Sequence, residues 1–168
     1  MILTIICPTY NEEKFIEQTI QSFLNQQYHS FELEVLICDG MSTDKTRAIV
    51  KTFSKQDDRI RLVDNPKRKT PFAFNIGLKE AKGEYIAILG AHTKYDNNYL
   101  QACYDDLIKT KSIGCSGRVI TEAASNSFES KLCESMMHSS FGVSSNSFRV
   151  MKEGYVHSVN FPVFKKQA

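Results

Sequence analysis

Residues 2–13 read Ile-Leu-Thr-Ile-Ile-Cys-Pro-Thr-Tyr-Asn-Glu-Glu, an apolar run that turns abruptly into a polar loop. Leu3 to Cys7 predicts a strand buried on both faces, because its apolar residues run on rather than alternate, and Pro8 ends it. Phe15, Ile16, Thr19, Ile20, Phe23 and Leu24 then recur as one helical stripe. Asn11 is placed to cap that helix, with Glu12 and Glu13 in its first turn. A doubly buried strand followed by an amphipathic helix is the unit of a parallel sheet covered by helices.

The same unit repeats along the chain. Val35 to Cys38 reads as a second strand, and Asp39-Gly40-Met41-Ser42-Thr43-Asp44 as a turn whose Ser42 or Thr43 caps a helix carrying Ile49, Val50 and Phe53. Ile60 to Val63 is a third strand, broken by Asn65-Pro66. Thr70-Pro71 marks a helix start, and Gly83 stands where a left-handed C-terminal cap is wanted. Tyr85 to Leu89 is a fourth strand, followed by a helical stripe of Tyr99, Leu100, Cys103, Tyr104, Leu107 and Ile108. Ile113 to Val119 predicts a fifth strand. Beyond Thr121 the pattern weakens to a helix through Phe128, Leu132 and Met136, and a strand-like segment near Tyr155 to Phe161.

The 168 residues, 42% of them apolar, fit one domain with a sizeable core. Against 21 Lys+Arg stand 19 Asp+Glu, leaving a net charge of +2 and no basic stripe for a nucleic-acid backbone. Neither a spanning helix nor a signal peptide is legible, so a soluble, cytoplasmic protein is expected. The five cysteines are odd in number and mostly flanked by apolar residues, which predicts reduced, buried thiols.

An open parallel sheet binds ligands beyond the carboxyl ends of its strands, where the strand order reverses. If the order is 3-2-1-4, the loops Pro8-Thr9-Tyr10-Asn11 and Gly90-Ala91-His92 meet there, with Asp39 as one wall. A carboxylate accepts from a ring N–H of a base, and Thr9 and Tyr10 offer a hydroxyl and a flat face. No glycine-rich turn follows the first strand, which disfavours a dinucleotide fold and a phosphate cradle of backbone amides.

Three blocks, Ile5 to Glu12, Asp39 to Thr46 and Asn75 to Ile86, resemble the family 2 glycosyltransferases. Shorter segments at Asn65-Pro66, Gly90 to His92 and 141–149 are similar to bacterial exopolysaccharide members of the succinoglycan type. The resemblance implies a three-layer α/β/α GT-A fold, Rossmann-like, with a mostly parallel sheet. It further implies inverting transfer of a sugar from a nucleotide diphosphate donor, a UDP-sugar, to a saccharide or lipid-linked acceptor, in the cytoplasm or at the inner face of the membrane. Residues 1–120 would form the donor-binding subdomain and 121–168 a partial acceptor-side segment of a single structural domain, truncated relative to the family.

Carried over by position, Pro8, Thr9, Tyr10, Glu12 and Asp39 surround the nucleotide. Where many relatives have a second acidic residue, this chain has Gly40, and Phe74 replaces an Arg that reaches the donor phosphates. Lys67, Arg68 or Lys69 substitutes for that cation, or forms a solvated turn. Relatives end the fourth strand with Asp-x-Asp or Asp-x-His to hold Mn or Mg; here Gly90-Ala91-His92 leaves His92 as the one metal candidate, with weak affinity expected. His92 also reads as a plain loop histidine. Inversion needs a general base. His157 stands where close relatives carry an Asp and is the remaining candidate, alongside its reading as a strand histidine; Glu122, Glu129 and Glu134 read as surface carboxylates. The alternative function is a nucleotide-binding module lacking the base and the full metal motif. Exposed apolar surface of an incomplete domain predicts weak self-association.

Overall fold

The first strand carries Ile and Leu on both faces because both faces are covered. β1 (Ile2–Thr9) lies between β2 (Glu32–Asp39) and β4 (Tyr85–Ile88), parallel to each. Leu3, Ile5 and Cys7 pack on one side with Ile16, Ile20 and Phe23 of α1 (Ile16–Leu24), Val50 of α2 (Thr46–Gln56) and Leu100 of α4 (Tyr99–Thr110). Ile6 packs on the other side with Ala73 of α3 (Thr70–Glu80) and with Leu36 and Ile86. The outcome is three layers, helix on sheet on helix. In this computed structural model residues 1–120, 122–123, 125–139, 149, 154–156 and 159–167 are described.

The six strands run in the order β3-β2-β1-β4-β6-β5, with β3 (Ile60–Asp64) parallel to β2. The predicted 3-2-1-4 core is therefore present, and the order reverses between β1 and β4. β6 (Val163–Lys165) inserts antiparallel between β4 and the two-residue β5 (Gly114–Cys115). The fifth strand is far shorter than 113–119, and the last strand falls after Phe161 rather than before it; of the earlier span, 157 and 158 lie outside the described residues. α5 (Phe128–Met137) forms as its stripe predicts. The chain divides into two compact units, Met1–Cys115 with Phe161–Ala168, and Ser116–Asn160. Among the described residues no helix is long and apolar enough to cross a membrane.

Three local expectations change for physical reasons. Asn11 does not cap α1, which starts at Ile16 with Phe15 at its N-cap; Asn11 has φ 55° and its side chain accepts from the Thr43 N–H instead. Ser42 and Thr43 do not cap α2, whose first turn is met by Asp44, the Oδ1 of which accepts from Thr46 N–H at 3.0 Å. Gly83 is no left-handed cap, since α3 ends at Glu80 and Gly83 lacks a positive φ. It is glycine because β1 passes too close: a Cβ there would lie 2.8 Å from the Thr4 nitrogen and 2.9 Å from the Ile2 oxygen. The five cysteines are free thiols, three of them buried.

Candidate functional site

The carboxyl ends of β1 and β2 open into two polar loops, and those loops bind each other. Backbone N–H groups of Asn11, Glu12 and Glu13 donate to Ser42 Oγ (2.9 Å), Thr46 Oγ1 (2.8 Å) and Asp44 Oδ2 (3.1 Å). In return Thr43 N–H donates to Asn11 Oδ1 (2.9 Å) and Lys45 N–H to Glu13 Oε2 (3.0 Å). Five bonds thus lace segments more than 30 residues apart and satisfy backbone groups that would otherwise face water. The polar residues of two of the recognised blocks therefore fix a scaffold, a role the sequence alone does not announce.

Beneath the lace lies Asp39, 0% exposed. Its Oδ2 accepts from Ser42 N–H at 2.9 Å and from Arg47 Nη1 at 2.7 Å, and its Oδ1 accepts from Ser42 Oγ. A carboxylate offers about four acceptor positions, so three are taken by the chain itself. The Arg47 guanidinium, on the first turn of α2, also reaches Asp64 at the end of β3 (2.8 Å). Hydrogen bonds from Asp39 and then Asp64 hold the Arg47 pKa above its ordinary value. Arg47 is a site residue that sequence reasoning missed; its signal would have been a cation in the first turn of the helix that follows a buried Asp, eight residues on.

Next to Asp39, in register across the β1–β2 ladder, sits Thr9, 5% exposed, whose Oγ1 has no hydrogen-bond partner. The buried Asn65 Oδ1 at the end of β3 is likewise unpartnered. A buried polar atom left unpaired costs about 1–3 kcal/mol, so two at one sheet edge point to a ligand that completes them. The exposed Tyr10 ring lies over Gly40: a Cβ on Gly40 would stand 3.2 Å from Tyr10 Cδ2 and 3.4 Å from the Arg68 Cα. Gly40 is therefore closely packed by Tyr10 and the 65–69 turn, and a larger side chain there would have to displace the Tyr10 ring by a few tenths of an ångström. Asn11, Met41 and Arg68, each beyond the end of a strand, all have φ between 55° and 59°. Backbone held in this region by non-glycine residues concentrates at functional sites.

On the far side of β1, His92 follows β4. Its Nδ1 is 3.2 Å from Glu12 Oε1, and its side chain is 66% exposed. Thr19 Oγ1 of α1 donates to the Ala91 carbonyl at 2.5 Å, fixing the same loop. Tyr10, Asp39, Glu12 and His92 thus come together along one edge of the sheet through the lace and the Glu12–His92 contact. A hollow of about 640 Å³ lies elsewhere, between α2, β3 and the end of α3. It is walled by exposed charged side chains such as Lys51 and Lys55 of α2, and shares Arg47 and Asp64 with this site.

The metal position is altered in a defined way. Where relatives supply a carboxylate, a Cβ on Gly90 would stand 3.0 Å from the Phe161 Cε1 and 3.5 Å from Thr93 Oγ1. Phe161 is held by Tyr99, whose hydroxyl donates to the Phe161 carbonyl at 2.5 Å, and by the Tyr95 ring at 5.7 Å. Tyr95 Oη accepts from the Gly90 N–H at 2.7 Å, and burial raises the Tyr95 phenol well above its usual range. The edge of an aromatic cluster stands close beside Gly90, so a side chain there would have to press against the Phe161 ring. Among the described residues no three His, Cys, Asp or Glu side chains are grouped to hold a metal ion. The residues present do not fit the Asp-x-His metal site. His157 lies outside the described residues; Glu122 and Glu129 are exposed and Glu134 half-buried, within Ser116–Asn160.

Comparison with known proteins agrees with the strand order. The chain is 41% identical over 101 residues to a dolichyl N-acetyl-alpha-D-glucosaminyl phosphate 3-beta-D-2,3-diacetamido-2,3-dideoxy-beta-D-glucuronosyltransferase of Methanococcus voltae, covering 59% of this chain and 32% of that protein. It is 34% identical over 101 residues to a teichuronic acid biosynthesis glycosyltransferase of Bacillus subtilis, covering 60% and 39%. A mannosyltransferase from Pyrobaculum calidifontis, solved in complex with GDP-Man and Mn2+, superposes with a TM-score of 0.64 at 27% identity, over 73% of this chain and 36% of that one. The chain thus spans between 32% and 39% of the length of these relatives. The family model described as glycosyl transferase family 2 matches residues 4–160. With nearly its whole length matched and a GT-A sheet beneath the match, this chain belongs to the family 2 glycosyltransferases.

Proposed function

We propose that this chain is the donor-binding part of a glycosyltransferase that takes a sugar from a UDP-sugar and transfers it, with inversion, to a saccharide or lipid-linked acceptor in polysaccharide assembly inside the cell. The observation that carries the reading is the unpartnered Thr9 hydroxyl beside the buried Asp39 carboxylate, at the carboxyl ends of β1 and β2, with β1 bordering the point where strand order reverses. Pro8, Thr9, Tyr10, Glu12 and Asp39 surround the nucleotide. Tyr10 stacks on the base, the free Thr9 hydroxyl gains its partner from the nucleoside, and the remaining lone pair of Asp39 accepts a ring N–H. Arg47 and Ser42 hold that carboxylate in place through their hydrogen bonds.

In the reaction the acceptor hydroxyl attacks the anomeric carbon, the C–O bond to the diphosphate breaks, and the nucleoside diphosphate leaves with the electron pair. The hydroxyl proton passes to a general base, for which His157 is the candidate. Residues 1–120 serve the donor and 121–168 the acceptor side. A second reading, a nucleotide-binding module that does not complete transfer, is favoured by Gly90 alone. Calorimetric titration with UDP and GDP tests the first: UDP is expected to bind, and Asp39→Ala to weaken it at least tenfold, the size of a hydrogen bond to a charged group. Equal binding by Asp39→Ala removes Asp39 from the pocket, and transfer of labelled sugar from UDP-sugars separates enzyme from module.

A further inference from the structure

Two independent features of the described residues bear on how a donor diphosphate is held. The first is the Phe161 ring, 3.0 Å from where a side chain at Gly90 would begin, fixed by Tyr95 and Tyr99 and turned inward on a backbone with φ 54°. A divalent ion shared between protein and diphosphate is held by hard oxygen ligands. Here the position that supplies the first of them carries hydrogen, and its nearest neighbours are the Phe161 ring edge and the Thr93 hydroxyl rather than a carboxylate. His92 keeps an imidazole whose Nδ1 already faces Glu12.

The second feature is Arg68. Its Cα is packed against Gly40 at the rim of the site, its backbone sits at φ 57°, and its N–H donates to the Asn65 carbonyl at 3.0 Å. Neighbouring Lys67 is engaged, with its Nζ 4.2 Å from the Phe72 ring centroid. The exposed Arg68 guanidinium has no hydrogen-bond or ion-pair partner among the described residues. A non-glycine residue fixed in the left-handed region, with a planar five-donor cation left free at the rim of the Asp39 site, matches what a phosphate requires.

Resting on the nucleotide-sugar reading above, we propose that this chain binds the diphosphate of its donor without a divalent cation, with the Arg68 guanidinium meeting the charge that the carboxylate-held metal meets in relatives. The missing carboxylate at Gly90 is why the cation is dispensable, and the free guanidinium is what replaces it.

The test is calorimetric titration of UDP and GDP into the 168-residue chain, once with EDTA and once with excess Mn2+. UDP is expected to bind with the same Kd in both buffers within about twofold, which is under half a kcal/mol. Arg68→Gln, an exposed change that circular dichroism should show to be folded, is expected to weaken UDP roughly tenfold, as loss of one charge-assisted hydrogen bond does. Arg68→Lys should recover part of it. UDP binding that tightens tenfold or more with Mn2+, or an Arg68→Gln protein that binds like wild type, overturns the inference while leaving the nucleotide reading intact. No binding of either nucleotide in either buffer overturns both. Manganese paramagnetic resonance gives a second readout: protein-dependent binding of Mn2+ on adding UDP, beyond what UDP binds without protein, contradicts the proposal directly.

Discussion

Replacing Arg47 by Met isolates the contact on which the candidate site rests. The guanidinium lies 2.7 Å from an Asp39 carboxylate that is 0% exposed, while Arg47 itself is 23% exposed. Removing one partner of a fully buried ion pair costs about 3–5 kcal/mol, because the surviving charge is left uncompensated. Two bonds from Ser42 remain on Asp39, and water reaches the outer part of the Arg47 site, so the expected loss is roughly 2–3 kcal/mol. The second contact of Arg47, with the 57%-exposed Asp64, adds little. For a chain of this size 1 kcal/mol moves Tm by about 2–4 °C, which predicts a fall of roughly 5–10 °C. Urea unfolding followed by far-ultraviolet dichroism gives the free energy, and Asp39→Asn with the double variant closes a cycle. Asp39→Asn removes the buried charge, so Arg47→Met should cost much less in that background. Arg47→Lys should recover less than half, since an ammonium cannot fork between Asp39 and Asp64. An Arg47→Met protein within about 0.5 kcal/mol of wild type, with no coupling in the cycle, would refute the claim that this pair holds the loop.

Gly83→Ala should destabilise by about 2–3 kcal/mol, measured in the same urea assay, because the new Cβ meets β1 backbone atoms that cannot yield. Gly90→Ala meets only the edge of the Phe161 ring and should cost less than Gly83→Ala. A thiol reagent on native protein should label the exposed Cys133 first and the half-buried Cys115 more slowly. Cys7, Cys38 and Cys103 should react only on unfolding, the Cys38 thiol being pushed up to about 12 chiefly by burial. The Arg59 guanidinium, through its side-chain hydrogen bonds, holds the Asp57 carboxyl below its ordinary value. Its contribution is therefore complete above the ordinary carboxylate value of roughly 4 and is lost as the pH falls through the lower folded value. Asp57→Asn should flatten that acid limb of a stability–pH profile, and an unchanged limb would exclude the ion pair as its source.

The order of elements was legible before any coordinates, because burial on both faces leaves a run such as Leu3 to Cys7 with no polar alternation to hide it. Alternation of strands and helices implied a parallel sheet, whereas the 3-2-1-4 order entered as a condition that the tertiary structure meets, and it brings Thr9, Tyr10, Asp39 and His92 to one edge. What the tertiary structure decided is how those residues are used. Asn11, Ser42 and Thr43 look like helix caps in isolation and are instead partners across a loop-to-loop lace, since a cap and a cross-loop acceptor have the same local chemistry. Gly83 looks like a chain reversal and is a close approach to a strand nearly 80 residues earlier. Arg47 beneath Asp39, and Phe161 in the space beside Gly90, join positions 8 and 71 residues apart. Periodicity reports which face of an element is buried; it carries no record of which distant atom occupies the space, and at this sheet edge that occupancy sets the chemistry.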